Sequence, residues 1–466
     1  MKIQQIYTGC LAQGAYYIES AGEVAIIDPL REVQSYIDMA QKDNAKIKYI
    51  FETHFHADFV SGHVTLAEIT SAPIVFGPNA KTNFDCHIAH DNEVFQIGEI
   101  SITALHTPGH TMESTCYLLK DKNSKNHALF SGDTLFLGDV GRPDLAQKAA
   151  DITQEQLAAT LYKSLREKIM ILEDDVILYP AHGAGSACGK NLSKETIGTI
   201  GDQKLNNYAL RADMTEAEFV KEVTDGLLPP PKYFPENVAL NKNGYQNVAA
   251  IIENNQAFDA DTFKSIANNA LILDVRTQDE FCKAHIPNSI FIGINGQFAP
   301  WVGALITDIK QPILLICPEG KEVETITRLA RVGYDNTLGY LKNGFQSWIN
   351  VGFETDSIEG ITAVELAEKL KNADLPVFDV RKPGEYENEN LVISKSTPLD
   401  FLNNLLEDFP KNEPFYVHCA GGYRSVIAIS ILKARGFKNI IDIKGGFDAI
   451  KNTEVQLSTK TCSSIL

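Results

Sequence analysis

The second half of the chain repeats itself, and this limits its possible folds more than any single motif does. Leu271–Phe281 reads L-I-L-D-V-R-T-Q-D-E-F, and Pro376–Tyr386 reads P-V-F-D-V-R-K-P-G-E-Y. Further on, K-N-G-F at Lys342–Phe345 is matched by K-G-G-F at Lys444–Phe447, and R-V-G-Y at Arg331–Tyr334 by R-G-F at Arg435–Phe437. Three ordered matches at a common spacing of roughly one hundred residues indicate a duplicated domain. In each copy, strand-like runs (L-I-L-D-V and I-L-L-I-C, then V-F-D-V and F-Y-V-H-C) alternate with helical patterns. That alternation predicts an α/β unit built on a parallel sheet. Two such units leave about half of the 466 residues for a different N-terminal body.

The boundary falls at G-L-L-P-P-P-K-Y-F-P-E-N-V-A-L-N, Gly226–Asn241. Its prolines, Pro229 to Pro231 and Pro235, argue against regular helix or central strand and predict an extended strap that closes the first domain. The expected domains are residues 1–241, 244–355 and 358–462. Within the first, strand-like runs are expected at Val24–Ile27, Ile47–Phe51, Pro73–Phe76, Ile100–Leu105, Ala128–Phe130 and Val176–Tyr179, with helices over Glu32–Lys42 and Gln154–Leu172.

Thr53–Phe59 reads T-H-F-H-A-D-F directly after an apolar run. His54, His56 and Asp58 alternate at a strand end, where imidazole and carboxylate groups converge on one cation. His110 in T-P-G-H-T, Asp133 in S-G-D-T and His182 in P-A-H-G each follow a strand-like run beside Gly or Pro. This places them on loops at strand ends. A lone His is more often structural than ligating; four such loops in one domain point to a metal centre.

The order of these loops resembles the metallo-β-lactamase superfamily, whose fold is an αββα sandwich. The superfamily's H-x-H-x-D-H signature ends here in Phe59, which cannot ligate, so a second metal lacks one imidazole. F-S-G-D-T-L-F-L-G-D-V-G-R-P-D-L and the proline strap further resemble persulfide dioxygenases. That resemblance implies a single Fe(II) per chain held by His54, His110 and Asp133, with zinc as the alternative. His56, Asp58 and His182 then orient ligands or water, or His56 serves as a fourth ligand. Arg142 is a candidate for a substrate carboxylate, against a structural Arg–Asp pair in the segment that also holds Asp139. Cys188 is a candidate sulfur acceptor, against a small buried residue.

Cys419–Ser425 reads C-A-G-G-Y-R-S between a strand-like run and an apolar helical pattern. Small residues there let backbone N–H groups turn toward a thiolate at a helix N-terminus. Cys419 is the expected nucleophile, Arg424 the charged partner, and Gly421, Gly422 and Ser425 the substrate-binding loop. With D-V-R upstream and K-G-G-F downstream, this resembles the active loop of rhodaneses. The first copy reads C317-P-E-G-K-E, with Glu322 where the family has Arg and Pro318 removing an N–H. It is expected to be inactive, Cys317 retaining at most a sulfur-carrying role. Cys10, Cys86, Cys116, Cys282 and Cys462 have no supporting context.

The resemblances together imply an enzyme of sulfide detoxification. A low-molecular-weight persulfide (of glutathione, coenzyme A or bacillithiol) is oxidised by O₂ to sulfite, and the rhodanese domain forms or uses thiosulfate. A thioester hydrolase resembling glyoxalase II and a non-catalytic persulfide sensor or sulfur relay are the alternatives. A net charge of −18 argues against nucleic acid or an anionic membrane as partner. The N-terminus lacks a secretory pattern, no apolar run approaches the length of a membrane helix, and eight scattered cysteines suit a reducing compartment. A cytoplasmic homo-oligomer, dimer or tetramer, is expected.

Overall fold

The computed structural model describes residues 1–147 and 151–459. They form two compact units. One holds Met1–Val248 with Ala330–Gly333, and the other Ala249–Leu329 with Tyr334 onward. Cys462, and the end of the expected 358–462 domain, lie outside the described residues.

The first unit contains two six-stranded sheets. One runs in order β1 (Lys2–Thr8), β2 (Gln13–Ser20), β3 (Glu23–Ile27), β4 (Lys46–Phe51), β5 (Ile74–Phe76), β6 (His87–Ile88). The other comprises β7 (Val94–Ile97), β8 (Ile100–His106), β9 (Thr115–Lys120), β10 (Asn126–Gly132), β11 (Ile177–Pro180) and β12 (Gly198–Thr199), in the order β12 to β7. Strand alternation sorts the side chains by face. Tyr16, Ile18, Phe51 and Val75 of the first sheet meet Phe95, Ile102, Tyr117 and Phe130 of the second in a shared core. The opposite face of the first sheet, with Tyr17, Ile26 and Ile50, is covered by Tyr36 and Leu66 from helices Gln34–Lys42 and His63–Thr70. Leu118, Leu129 and Leu178, on the far face of the second sheet, pack under Leu157 to Leu161 and Phe219 from helices Gln154–Ser164 and Glu216–Thr224. The layers are therefore αββα, as expected.

Two elements differ from the sequence expectation. Part of the strap is helical, over Phe234–Asn243, with Pro235 in its first turn. There the missing N–H costs nothing and the fixed φ suits the helix. The helix from Gln154 is α-helical only to Ser164 and continues as a π-helical turn, Leu165–Ile169.

The second unit contains two five-stranded sheets. The first comprises β13 (Gln256–Phe258), β14 (Leu271–Asp274), β15 (Ile290–Phe291), β16 (Ile313–Ile316) and β17 (Thr337–Leu341), in the order β13-β17-β16-β14-β15. The second comprises β18 (Glu359–Thr362), β19 (Val377–Asp379), β21 (Ser394–Ser396), β22 (Phe415–His418) and β23 (Ile440–Lys444), in the order β18-β23-β22-β19-β21. β20 (Glu389–Leu391) and β24 (Leu457–Thr459) pair separately. Every pairing inside the two five-stranded sheets is parallel. The shared strand order makes the duplication visible in three dimensions.

The recurrent Asp-Val-Arg is a structural device. Asp274 and Asp379 each end a strand, fully buried, and each accepts a bidentate pair from an arginine two residues on, Arg276 or Arg381. Each arginine also lies against a phenylalanine of the K-x-G-F motif, Phe345 or Phe447. The two motifs recur together because they touch.

Candidate functional site

The six metal-ligand candidates of the first unit are all buried and lie on loops after β4, β8, β10 and β11. Asp133 is the hub. Its Oδ2 lies 3.4 Å from His110 Nε2 and 3.8 Å from His54 Nε2, and its Oδ1 lies 3.5 Å from His182 Nε2. His54, His110 and Asp133 form one group whose ligand atoms lie within 4.8 Å of one another; His56, Asp58 and His182 form another. Cys188 joins Asp133 and His182 in a third.

The ring orientations follow from the backbone around them. His110 Nδ1 is 2.9 Å from the Arg142 carbonyl and donates to it, which turns the Nε2 lone pair toward Asp133. The chain approaches closely enough here that a Cβ on Gly141 would sit 2.0 Å from the Asp133 carbonyl and 2.9 Å from His110 Nδ1. His54 Nδ1 meets Thr53 Oγ1 at 3.0 Å, and that hydroxyl donates to Asp28 Oδ2 at 2.8 Å. His54 thus also presents Nε2 inward. Burial, and then the neighbouring His56, His110 and His182, hold the His54 pKa well below the usual histidine value, so the ring is neutral as a ligand must be.

These residues fit a cation. Both oxygens of Asp133, Oδ1 of Asp58 and both ring nitrogens of His182 are buried without a hydrogen-bond partner, a cost that coordination would remove.

His56 Nε2 lies 3.2 Å from Asp28 Oδ1 and 3.6 Å from Glu52 Oε2. Burial opposes charging this ring, but Asp28, Glu52 and Asp58 outweigh it and push its pKa up to about 9. Phe59 is fully buried with its ring 4.4 Å from the His56 ring. Glu52 also faces His63 Nδ1 at 3.4 Å and accepts from Ser61 Oγ. Sequence reasoning missed Asp28, Glu52 and His63. The available signals were Asp28 at the end of a strand and Glu52 beside Thr53. Asp28 has φ of +49°, in the left-handed region that Asp tolerates better than most residues.

Arg142 does not face the metal group as a free fork. Its guanidinium donates to Asp144 through Nε and Nη2, to the Ala187 carbonyl and to the Leu228 carbonyl. These contacts clamp the loop, as in the structural reading, and its acid is Asp144. Asp139 instead accepts from the backbone of Lys190 and Asn191 and from the Tyr208 hydroxyl. Cys188 is buried, and burial, with Asp133 and Asp58 nearby, pushes its thiol pKa well above the ordinary value.

In the second unit Cys419 follows β22 and Cys317 follows β16, the same place in each sheet. Gly422 N–H donates to Cys419 Sγ at 3.1 Å, with Gly422 at φ of +111°, and Ser425 Oγ lies 3.8 Å from the sulfur. Gly421 is exposed at the loop's open side. K-G-G-F supports the loop from below: the Phe447 and Asp448 amides donate to the Cys419 and Ala420 carbonyls. A Cβ at Gly446 would lie 2.5 Å from either carbonyl oxygen. Arg424 pairs bidentately with Glu385 at 2.6 and 2.9 Å, so its charge is already shared. Around Cys317, burial pushes the thiol pKa up to about 12; Glu322 and Asp274 add to the effect, and a hydrogen bond with Thr325 opposes it.

An αββα sandwich with His and Asp loops at one end of its strands, followed by two α/β repeats with cysteine loops, defines a domain with a candidate metal centre joined to two cysteine-loop domains. The chain belongs to the metallo-β-lactamase superfamily and carries two rhodanese-like domains. The profile "Metallo-beta-lactamase superfamily" matches residues 8–182, and "Rhodanese-like domain" matches 259–351 and 362–453. A crystal structure described as a metallo-beta-lactamase from Staphylococcus aureus subsp. aureus COL is 31% identical with a TM-score of 0.65, covering 73% of this chain and 98% of that one. The cytoplasmic hydroxyacylglutathione hydrolase of Arabidopsis thaliana is 33% identical over 187 residues, 39% of this chain and 67% of that protein. The mitochondrial persulfide dioxygenase ETHE1 of Homo sapiens is 28% identical over 221 residues, 47% of this chain and 78% of that protein. No helix among the described residues is long and apolar enough to cross a membrane.

Proposed function

We propose that the chain is a persulfide dioxygenase with a built-in sulfurtransferase. It converts R–S–SH, O₂ and water to R–SH, sulfite and two protons, and moves sulfane sulfur through Cys419. One observation carries this reading: a His54–His110–Asp133 group shares a chain with a rhodanese-like cysteine loop. Persulfide sulfur is the substrate that both halves can use.

His54, His110 and Asp133 would hold the metal. Ferrous iron held there would supply the redox chemistry between O₂ and sulfur. The Arg142 carbonyl and Thr53 fix the two imidazole tautomers. At Cys419, the thiolate attacks the outer sulfur of a persulfide and R–S⁻ leaves. The resulting Cys–S–S⁻ hands its outer sulfur to sulfite, giving thiosulfate and restoring the thiolate, or the steps run in reverse. Gly422 N–H stabilises negative charge on sulfur. Keeping sulfite on the same chain raises its concentration at the transferase.

A second reading, a glyoxalase II-like thioester hydrolase, is favoured by the second group, His56, Asp58 and His182, and by the relative at 33% identity. Metal analysis combined with oxygen-electrode assays separates the two. One iron per chain and O₂ uptake with glutathione or coenzyme A persulfide are expected. Two metals per chain with thioester hydrolysis and no O₂ uptake would replace this reading with the hydrolase one.

A further inference from the structure

We propose that the first repeat is a working part of the Cys419 site: its Gly293–Gly296 loop seats the Tyr423 ring and thereby aims the backbone N–H groups of the cysteine loop at sulfur. This rests on the reading of Cys419 as a sulfur-transfer nucleophile. Tyr423 directly follows Gly422, whose N–H meets Cys419 Sγ, and is the first residue of the helix Tyr423–Ala434. Its side chain turns away from its own sheet. The hydroxyl donates to the Gly293 carbonyl at 2.8 Å, and the ring stands edge-on to Phe291 with centroids 5.8 Å apart.

The seat is cut to the shape of this ring. A Cβ at Gly296 would sit 2.4 Å from Tyr423 Cζ and 2.5 Å from its oxygen, and one at Gly293 would sit 3.3 Å from Cε2. Neither glycine has a φ in the left-handed region, so backbone conformation does not call for glycine at either place. Room for the phenol ring does at Gly296; at Gly293 the Arg276 carbonyl and the Phe291 ring, each 3.0 Å from such a Cβ, come nearer still. The same helix is gripped again about two turns later, where the Phe291 amide donates to Ser430 Oγ at 3.0 Å. Its residues Ser425 to Leu432 are all buried, the pattern of a helix enclosed on every side. Gln278, also from the first repeat, brings Nε2 to 3.3 Å from where a Gly422 Cβ would lie. The repeat without a usable cysteine loop therefore touches both residues that follow Gly421.

Tyr423 is a positioning residue that acts through the backbone, and its test needs a readout beyond stability. In the full-length protein, Gly296→Ala is expected to lower kcat for sulfur transfer about 10- to 100-fold with donor KM changed less. It should also slow alkylation of Cys419 at neutral pH about 3- to 10-fold, because a misaimed N–H no longer stabilises negative charge on sulfur. O₂ uptake should stay within about twofold, since the change lies far in sequence from the metal ligands. Adding Tyr423→Leu removes the two ring carbons and the hydroxyl oxygen that the new methyl meets and should restore part of the lost rate. Tyr423→Phe removes only the hydroxyl and carries the same test, with an expected loss of about 3- to 10-fold for one hydrogen bond, where Gly296→Ala fails to accumulate. A folded Gly296→Ala protein with unchanged transfer and alkylation profile overturns the inference, as does a double variant no faster than the single one. Transfer surviving in Cys419→Ser would instead overturn the reading on which the inference rests.

Discussion

The two repeats have the same frame and opposite cysteine loops. Each has strand order first-fifth-fourth-second-third, each ends its second strand in a buried Asp–Arg pair, and each carries a cysteine after its fourth strand. The difference lies in the first turn of the helix that follows. In the first repeat the helix Glu322–Ala330 opens with Glu322 and Glu324; in the second, the helix Tyr423–Ala434 has no acid in its first turn. A helix N-terminus attracts negative charge. The first repeat meets it with its own carboxylates, whereas the second places none there. The frame is thus kept while the setting of its cysteine changes.

The comparison breaks most directly at the cysteines. Cys419→Ser is expected to lower sulfur transfer about a thousand-fold or more, and Cys317→Ser to change it less than about twofold, both read as thiosulfate-to-cyanide turnover. Equal losses would erase the distinction. Thiol reactivity sharpens it. With its pKa pushed up to about 12 by burial first and Glu322 next, Cys317 stays protonated at neutral pH. Its alkylation should rise about tenfold per pH unit with no plateau below about pH 12, as followed by peptide mass spectrometry. A plateau near pH 8 would contradict the buried setting. Giving the second repeat the residue of the first, Arg424→Glu, should raise the KM for sulfite about 10- to 100-fold, because a carboxylate then faces the anion and Glu385 loses its partner. The smallest contrast is expected between the frames. Asp274→Asn and Asp379→Asn should each cost about 3 kcal/mol in denaturant unfolding, since each leaves a buried guanidinium without its carboxylate. A cost confined to one repeat would show that the frames differ after all.

Legibility in the sequence followed how locally each feature is encoded. The duplication was readable because Asp-Val-Arg and K-x-G-F recur in order, and their mutual contact explains the joint recurrence. The His and Asp group was readable because His110, Asp133 and His182 each sit beside Gly or Pro after an apolar run, and His54 closely follows another such run. The carboxylates behind His56 were not, because Asp28 and Glu52 come from different strands and become neighbours only when β3 pairs with β4. The contacts of Arg142 were only partly readable for the same reason: Asp144 is close in sequence, but the carbonyls of Ala187 and Leu228 that meet its other donors are not. In the strap, proline reads as a helix breaker, yet Pro235 occupies the one turn that tolerates it. The seat of Tyr423 left no local trace, since Gly293 and Gly296 look like ordinary loop glycines until a residue more than a hundred positions later fills the space beside them.

Asn241, near the end of the helix Phe234–Asn243, donates to the carbonyls of His56 and Phe59 and accepts from the Ser61 amide. One side-chain amide at the far end of the domain therefore ties down the loop that contains H-x-H-x-D. This sets the limit of modularity in the chain. The N-terminal unit cannot be separated at its proline run, however linker-like that run looks, because the cut would remove the peg that holds the histidine loop in register. Any rearrangement that parted the metal domain from its rhodanese-like neighbours while preserving that loop had to break the chain after Asn241.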